Sequence, residues 1–465
     1  MQNPPSAPVG RTIEKKPGLS LRILRIFTDI YPGEVLTAFL LTLNVFLLLT
    51  AYYIIKPVRD ALMLEGWPPE VKNYLSAAIA VLLILVIKAF SLIASRLPRQ
   101  RLISWVTLFF ISNIVLFYVL HLTAIPAGTM GIIFYIWASI FNVLVIAQFW
   151  GFANDIYTED VGKRLFPIVA FGATFGGFAG GSITKWLILP LGTFQLLLVS
   201  GGILGVCILL TWVIHRRETG KPDKTVPEAA NTVLPDKKDQ LKPLQKIGAF
   251  QLLFKKRYLL YIAFFVMLLN FVNTNGVFML DKVADNTASR AIELGNAAGM
   301  TRGEFLTQFY ASFYNVQNLF AMFVQLFLVS RIFKWFGVRV AVFFLPVLAL
   351  GGYVMISFGA YLLLVKWVKA LENGMDYSLM NTTRHSLYLI TTREEKYKAQ
   401  AATKTFFHRA GDVLSTLLVF IGTSFLAFRI ENFAMVNVVL IFLWIVLGIL
   451  IFKEHKKLSE RSLAP

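Results

Sequence analysis

The sequence predicts an all-α membrane protein of about twelve transmembrane helices in two six-helix halves. Three observations carry this. Of 465 residues, 57% are hydrophobic and 15% charged, with a mean hydropathy of +0.65, whereas soluble domains carry about 25% charged residues. Apolar runs able to cross a bilayer, about 20 residues each, recur along the chain. One long polar stretch, 215–257, divides these runs into two sets.

The first set covers 34–55, 74–94, 102–122, 130–157, 165–184 and 192–214. The second covers 258–280, 305–329, 338–358, 361–388, 403–428 and 433–452. Residues 1–33 are polar, basic and Pro-containing, without a cleavable signal, and read with 453–465 as cytoplasmic tails. The halves are then 34–214 and 258–452. Between them, 215–257 holds Pro222, Pro227, Pro235 and Pro243, eleven Lys or Arg and five Asp or Glu. That composition predicts a mostly disordered cytoplasmic linker, with 248–257 as an amphipathic helix on an anionic leaflet.

Charge fixes the expected orientation. With both termini cytoplasmic, the inner loops hold 23 Lys and Arg against 8 in the outer loops, among which 56–73 and 281–304 are counted. This is the positive-inside bias. It explains the net charge of +19 without a nucleic-acid partner, and the expected partner is the lipid bilayer, as in a bacterial inner membrane. Short motifs repeat at an offset of about 235 residues. Ser95-Arg96-Leu97 answers to Ser330-Arg331-Ile332, and Ile156-Tyr157-Thr158-Glu159-Asp160 to Ile390-Thr391-Thr392-Arg393-Glu394-Glu395. Parallel repeats of six spans are the mark of the major facilitator architecture. Its central cavity is lined by the first and fourth span of each half.

Polar residues concentrate in those spans. Lys56, Arg59 and Asp60 stand at the outer end of the first; Asn142, Gln148, Asn154 and Asp155 lie in the fourth. The seventh carries Asn270, Asn273 and Asn275. In the tenth, Lys366, Lys369, Glu372 and Asp376 recur at steps of three and four, which puts them on one helical face, and Arg384 follows. The eleventh repeats the pattern with Lys404, His408 and Asp412, and Lys88 stands alone in the second. Intramembrane charges are costly unless they pair or meet water, so these residues mark either a substrate pathway or paired charges that hold helices together. Their cationic excess favours an organic anion, with Arg suited to phosphate or carboxylate.

Other chemistries find no support. Gly172, Gly176 and Gly180 are spaced by four, as are Gly177 and Gly181, a pattern for close helix packing rather than a phosphate loop. Cys207 is the single cysteine, so no disulfide is available. No Cys/His metal cluster or catalytic triad is visible, and neither a metal, a cofactor nor an enzymatic activity is expected.

Three segments resemble the ATP/ADP antiporter family, the nucleotide transporters of plastids and intracellular bacteria. They are YYIIKPVRDAL (52–62), FWGFANDIYTEDVGKRLFP (149–167), and DYSLMNTTRHSLY (376–388) followed by EEKYKAQAATKTFFHRAG (394–411). The resemblance implies exchange of ATP for ADP, or nucleotide import with protons. It implies substrate roles for Arg59 before Asp-Ala-Leu, for Asp155 after Phe-Ala-Asn, and for Arg384 where a Lys is usual. Asn273 stands where the family has Glu, and Gln400 where it has Lys. The expected substrate site is Lys56, Arg59, Asn154, Asp155, Asn273, Lys366, Lys369, Glu372, Asp376, Arg384 and Lys404. Asp155, Glu372 and Asp376 would pair with the cations of the empty site. The alternatives are a proton-coupled carrier of another organic anion, using Asp155, Asp376 or His408, and a non-transporting scaffold that binds through 215–257.

Overall fold

A computed structural model describes residues 34–94, 99–123, 126–157, 159–219 and 249–463. The N-terminal tail and most of the linker, 220–248, lie outside the described residues. The first half comprises α1 (Val35–Gly66), α2 (Pro69–Ala94), α3 (Arg99–Leu122), α4 (Ala127–Ile156), α5 (Glu159–Leu191) and α6 (Thr193–Thr219). A short α7 (Ala249–Lys255) precedes α8 (Arg257–Glu293), α9 (Arg302–Phe323) and α10 (Val329–Phe358). Then come α11 (Leu362–Met375), α12 (Asn381–Leu387), α13 (Arg393–Ala402), α14 (His408–Ser424) and α15 (Ile430–Leu463). Short π-helical segments, Val324–Leu328, Asp376–Met380 and Thr403–Phe407, join α9 to α10, α11 to α12, and α13 to α14.

The result is an all-α membrane protein with twelve helical passes among the described residues. A helix satisfies its own backbone in lipid, where water cannot. Eight stretches qualify as spans on length and hydropathy alone, with Arg302–Phe358 counted as one. That stretch turns at Gly337, whose φ of 73° is a left-handed conformation that glycine adopts without steric cost. The second pass qualifies only as a pair of helices bent by 40° between Ile79 and Val81, and the tenth and eleventh fail the same test because charged residues and π-turns interrupt them. Capping boxes at Thr301/Glu304 and Thr392/Glu395 fix the starts of α9 and α13.

Each half has its own apolar core. One joins Leu41 on α1 to Phe110, Phe141 and Leu204 on α3, α4 and α6. The other joins Phe265 on α8 to Tyr310, Tyr353 and Trp444 on α9, α10 and α15. Buried asparagines staple the halves internally. Asn44 Nδ2 donates to Cys207 O at 3.0 Å, linking α1 to α6, and Asn275 Nδ2 donates to Asn437 Oδ1 at 2.7 Å, linking α8 to α15. The halves meet where α5 and α1 pack on α9, and where α2 packs on α14 and α8.

The glycines of α5 serve two partners. A Cβ on Gly176 or Gly180 would run into the carbonyl oxygens of Phe46 or Thr50 on α1. One on Gly177 or Gly181 would meet the side-chain amides of Asn318 or Asn315 on α9, in the other half.

Two expectations need correction. Residues 56–73 and 281–304 are mainly helical, not loop: α1 continues to Gly66, α2 begins at Pro69 and α8 continues to Glu293. Ion pairs between these helices remove the cost that a hydropathy window assigns to their charges. The helix within 248–257 turns part of its apolar surface into the protein rather than leaving it all for lipid, with Phe254 still exposed. Leu252 and Leu253 are buried in the second core, α7 packs on α13, and Lys256 pairs with Glu395 at 2.6 Å.

Candidate substrate site

The bundle is closed at the end holding the α1–α2 turn. Asp60, fully buried on α1, pairs with Arg59 at 2.8 Å and with Lys72 of α2 at 3.2 Å, and accepts a hydrogen bond of 2.6 Å from Tyr314 Oη of α9. Lys72 Nζ also donates to Asp281 Oδ1 of α8 at 2.9 Å, and Tyr310 Oη donates to the same oxygen. Lys72 thereby bridges the two halves through two carboxylates. Further links surround it. Lys282 pairs with Glu70 at 2.6 Å, Arg302 Nη1 donates to Glu65 O at 3.1 Å and Nη2 pairs with Asp285, and Thr416 Oγ1 donates to Asn73 Oδ1 at 2.9 Å.

Tyrosines hold the adjacent cations. The Lys56 ammonium lies 3.9 Å from the centre of the Tyr314 ring and 5.2 Å from that of Tyr53. The Arg59 guanidinium sits 4.8 Å from the Tyr135 centroid. Among the described residues, Lys56 is held by ring faces alone, whereas Arg59 has Asp60 as its carboxylate partner besides the Tyr135 ring.

A second cluster is buried within the C-terminal half. Lys369 Nζ donates to Asn273 Oδ1 and, at 3.0 Å, to Glu372 Oε2, which also accepts from Tyr353 Oη at 2.7 Å. Lys366 donates to Ser312 Oγ at 2.7 Å, tying α11 to α9.

The cavity lies beyond this cluster, toward the end of the bundle where α1 begins and α15 ends. Its volume is about 320 Å³, within the range of small-molecule sites. Its walls include Arg384 of α12, Tyr388 just after it, Lys404 of the third π-segment, and His408 and Arg409 of α14. Arg384 Nη2 is 3.2 Å from Asp376 Oδ1, yet that oxygen has no aligned hydrogen-bond donor. The pair is therefore held by charge more than by a directed bond. Arg409 pairs with Asp412 at 3.2 Å, and Asp412 also accepts from Asn270 at 2.6 Å and Thr274 at 2.8 Å. Two of the three π-segments carry residues of this region, and such segments concentrate at functional sites.

The expected residues thus fall into separate groups. Arg384 and Lys404 line the cavity and Asp376 adjoins it. Lys369, Glu372 and Asn273 form the buried cluster. Lys56 and Arg59 stand beside the closed end, and Lys366 is bound to Ser312. Asn154 and Asp155 are exposed in the last turn of α4, at the end of the bundle toward which the cavity opens. Gln400 also lines the cavity. Lys88 is exposed on α2. Sequence reasoning missed Lys72, Asp281, Tyr310 and Tyr314. The available signal is the clustering of opposite charges at 59–72 and 281–285, a composition that loops share.

Residues 122–358, just over half the chain, match the TLC ATP/ADP transporter family. No curated protein matches the chain. Among solved structures, the chain is similar to a bacterial homologue of the human lysosomal transporter Spinster, inward-facing and unoccupied. The TM-score is 0.51 at 14% identity, over 94% of this chain and 100% of that one. It is also similar to the nucleoside transporter NupG, with a TM-score of 0.59 at 12% identity, over 90% and 99% of the two chains. These likenesses show the major facilitator fold. The chain belongs to the TLC ATP/ADP transporter family and is a multi-pass membrane transporter of nucleotides rather than an enzyme.

Proposed function

We propose that the protein exchanges ATP for ADP, or a closely related phosphorylated nucleotide, by alternating access between the halves 34–214 and 258–452. The observation that carries this is the Arg384–Asp376 pair at the cavity wall. Arg384 is held by a carboxylate without a directed hydrogen bond, so a phosphate offering several acceptors can take the guanidinium in bidentate geometry. Lys404 adds a second charge to the same wall. Asn154 and Asp155 extend the site on the opposite half. Lys56, Arg59 and Lys366 receive the anion once the closed end opens, and Lys369, Glu372 and Asn273 support the wall from behind.

Obligatory exchange follows from the same partner change. When the nucleotide leaves, Arg384 returns to Asp376, and the empty, self-paired site reorients slowly. Substrate shifts the conformational equilibrium only by its differential affinity for the two states, and the released pair provides that difference. The linker 215–257 connects the halves, with both termini in the cytoplasm of a bacterial inner membrane. The second reading, import driven by protons, draws on His408 at the cavity wall.

Proteoliposomes with the purified protein, empty or loaded with ADP at symmetric pH, test this. The expected result is uptake of labelled ATP only into loaded vesicles. Uptake into empty vesicles that follows an imposed pH gradient overturns exchange in favour of proton coupling. Asp376→Asn should slow exchange at least tenfold while the protein remains folded and inserted.

A further inference from the structure

We infer that Tyr377 is the platform on which the nucleobase stacks. This inference rests on the nucleotide reading above and adds the half of the ligand that the cations leave unaddressed. The cationic wall recognises phosphates and is indifferent to what they are attached to. A transporter that distinguishes nucleotides from inorganic polyphosphate needs a flat apolar surface within reach of that wall.

Tyr377 has the required placement. It lies in the π-segment Asp376–Met380, directly before α12. Asn381, Arg384 and His385 line the cavity from one side of α12, at steps of three and four from Asn381, and Tyr388 joins them just past its end. Tyr377 stands four residues before Asn381, in the π-turn that leads from α11 into α12. Its neighbours Asp376 and Ser378 are buried, whereas Tyr377 itself is 52% exposed. That exposure is not toward lipid. Tyr52 and Arg59 of α1, on the opposite half, lie within electrostatic reach of the ring, as do Asp376 and Arg384 on its own side. The open face therefore looks into the space between the halves.

A planar base fits this arrangement. The ring supplies a π-surface, and Arg59 and Arg384 lie on opposite sides of the gap. Arg384 takes phosphate while the base lies over Tyr377, within reach of the Arg59 guanidinium from the other half. Stacking on an aromatic ring tolerates different bases, because every base has a π-face. Tyr377 accordingly selects for nucleotides as a class rather than for one base.

Equilibrium binding of labelled ATP to the full-length protein in nanodiscs, competed by ADP and by tripolyphosphate, tests the assignment. Removing one stacking ring costs roughly 5- to 140-fold in affinity. Tyr377→Ala should weaken ATP and ADP by an amount in that range and leave competition by tripolyphosphate unchanged. Tyr377→Phe, which keeps the ring, should bind ATP within about twofold of wild type. Unchanged ATP affinity in Tyr377→Ala overturns the assignment, as does a parallel loss of tripolyphosphate, which would give the ring a structural role. If ATP fails to bind the wild-type protein while tripolyphosphate binds, the nucleotide reading itself falls and this inference falls with it.

Discussion

Lys72 is the residue on which the closed end turns. It is 4% exposed and faces two carboxylates, Asp60 and Asp281, both still more deeply buried. A buried ion pair contributes little net stability against apolar residues of the same shape, but removing one partner costs about 3–5 kcal/mol because a charge is left buried and unpaired. Lys72→Met should therefore destabilise the closed arrangement by several kcal/mol, and adding Asp281→Asn should recover part of the loss. The readout is labelling of an Ala61→Cys variant by a membrane-impermeant maleimide. Ala61 is fully buried and packs into the core of the other half, and the native Cys207 is itself buried. Faster labelling in Lys72→Met supports the lock, and an unchanged rate removes it. Asn273 offers a second test. Lys369 has Glu372 as its carboxylate and Asn273 as a neutral acceptor. Asn273→Glu would give one buried lysine two carboxylates, and should lower the melting temperature. Combining it with Glu372→Gln should restore most of the loss, measured by thermal unfolding in detergent.

At the scale of the helix, close packing and free space can be told apart glycine by glycine. Gly176 approaches backbone, which cannot move aside, so Gly176→Val should cost about 1–3 kcal/mol through overpacking. Gly202 on α6 has nothing within 4 Å of where a Cβ would stand. Gly202→Ala should leave stability unchanged or raise it slightly, since alanine favours helix by up to about 1 kcal/mol. Thermal unfolding of the two variants side by side checks both outcomes. The spacing of four in α5 announced tight packing in the sequence. Which glycines face the same half and which face the other could not be read there, because both stripes have the same spacing and differ only in what lies opposite.

For the whole molecule, the apolar runs and the offset repeat were enough to predict twelve passes and the architecture. What they hid is where the helices end. Hydropathy treats each charge as if it were alone, so Lys56, Arg59, Asp60, Lys72 and Asp281 appeared to terminate spans. In the fold these charges meet partners from helices distant in sequence, and the helices run on. The same limit applied to the site. Arg384 and Asp376 could be placed on one element from spacing, but the division of the expected residues between an open wall, a buried cluster and a closed end is a property of tertiary packing. Alternating access carries its own prediction at this scale. Added ADP should change the labelling rate of Ala61→Cys in the wild-type background, because substrate shifts the balance between closed and open ends; no change at saturating ADP would separate binding from movement at that end.

The two sides of α5 differ in hardness, and this has a mechanical consequence. Toward α1, Gly176 and Gly180 lie directly against the carbonyls of Phe46 and Thr50, a weld of backbone on backbone. Toward α9 the nearest atoms are the amides of Asn315 and Asn318, whose side chains can swing, with the Ala311 carbonyl behind Asn315. When the halves rock, α5 must travel with α1 as one rigid body, and the motion must be taken up on its other side. There the asparagines act as a compliant bearing, able to follow the glycine surface without opening a void.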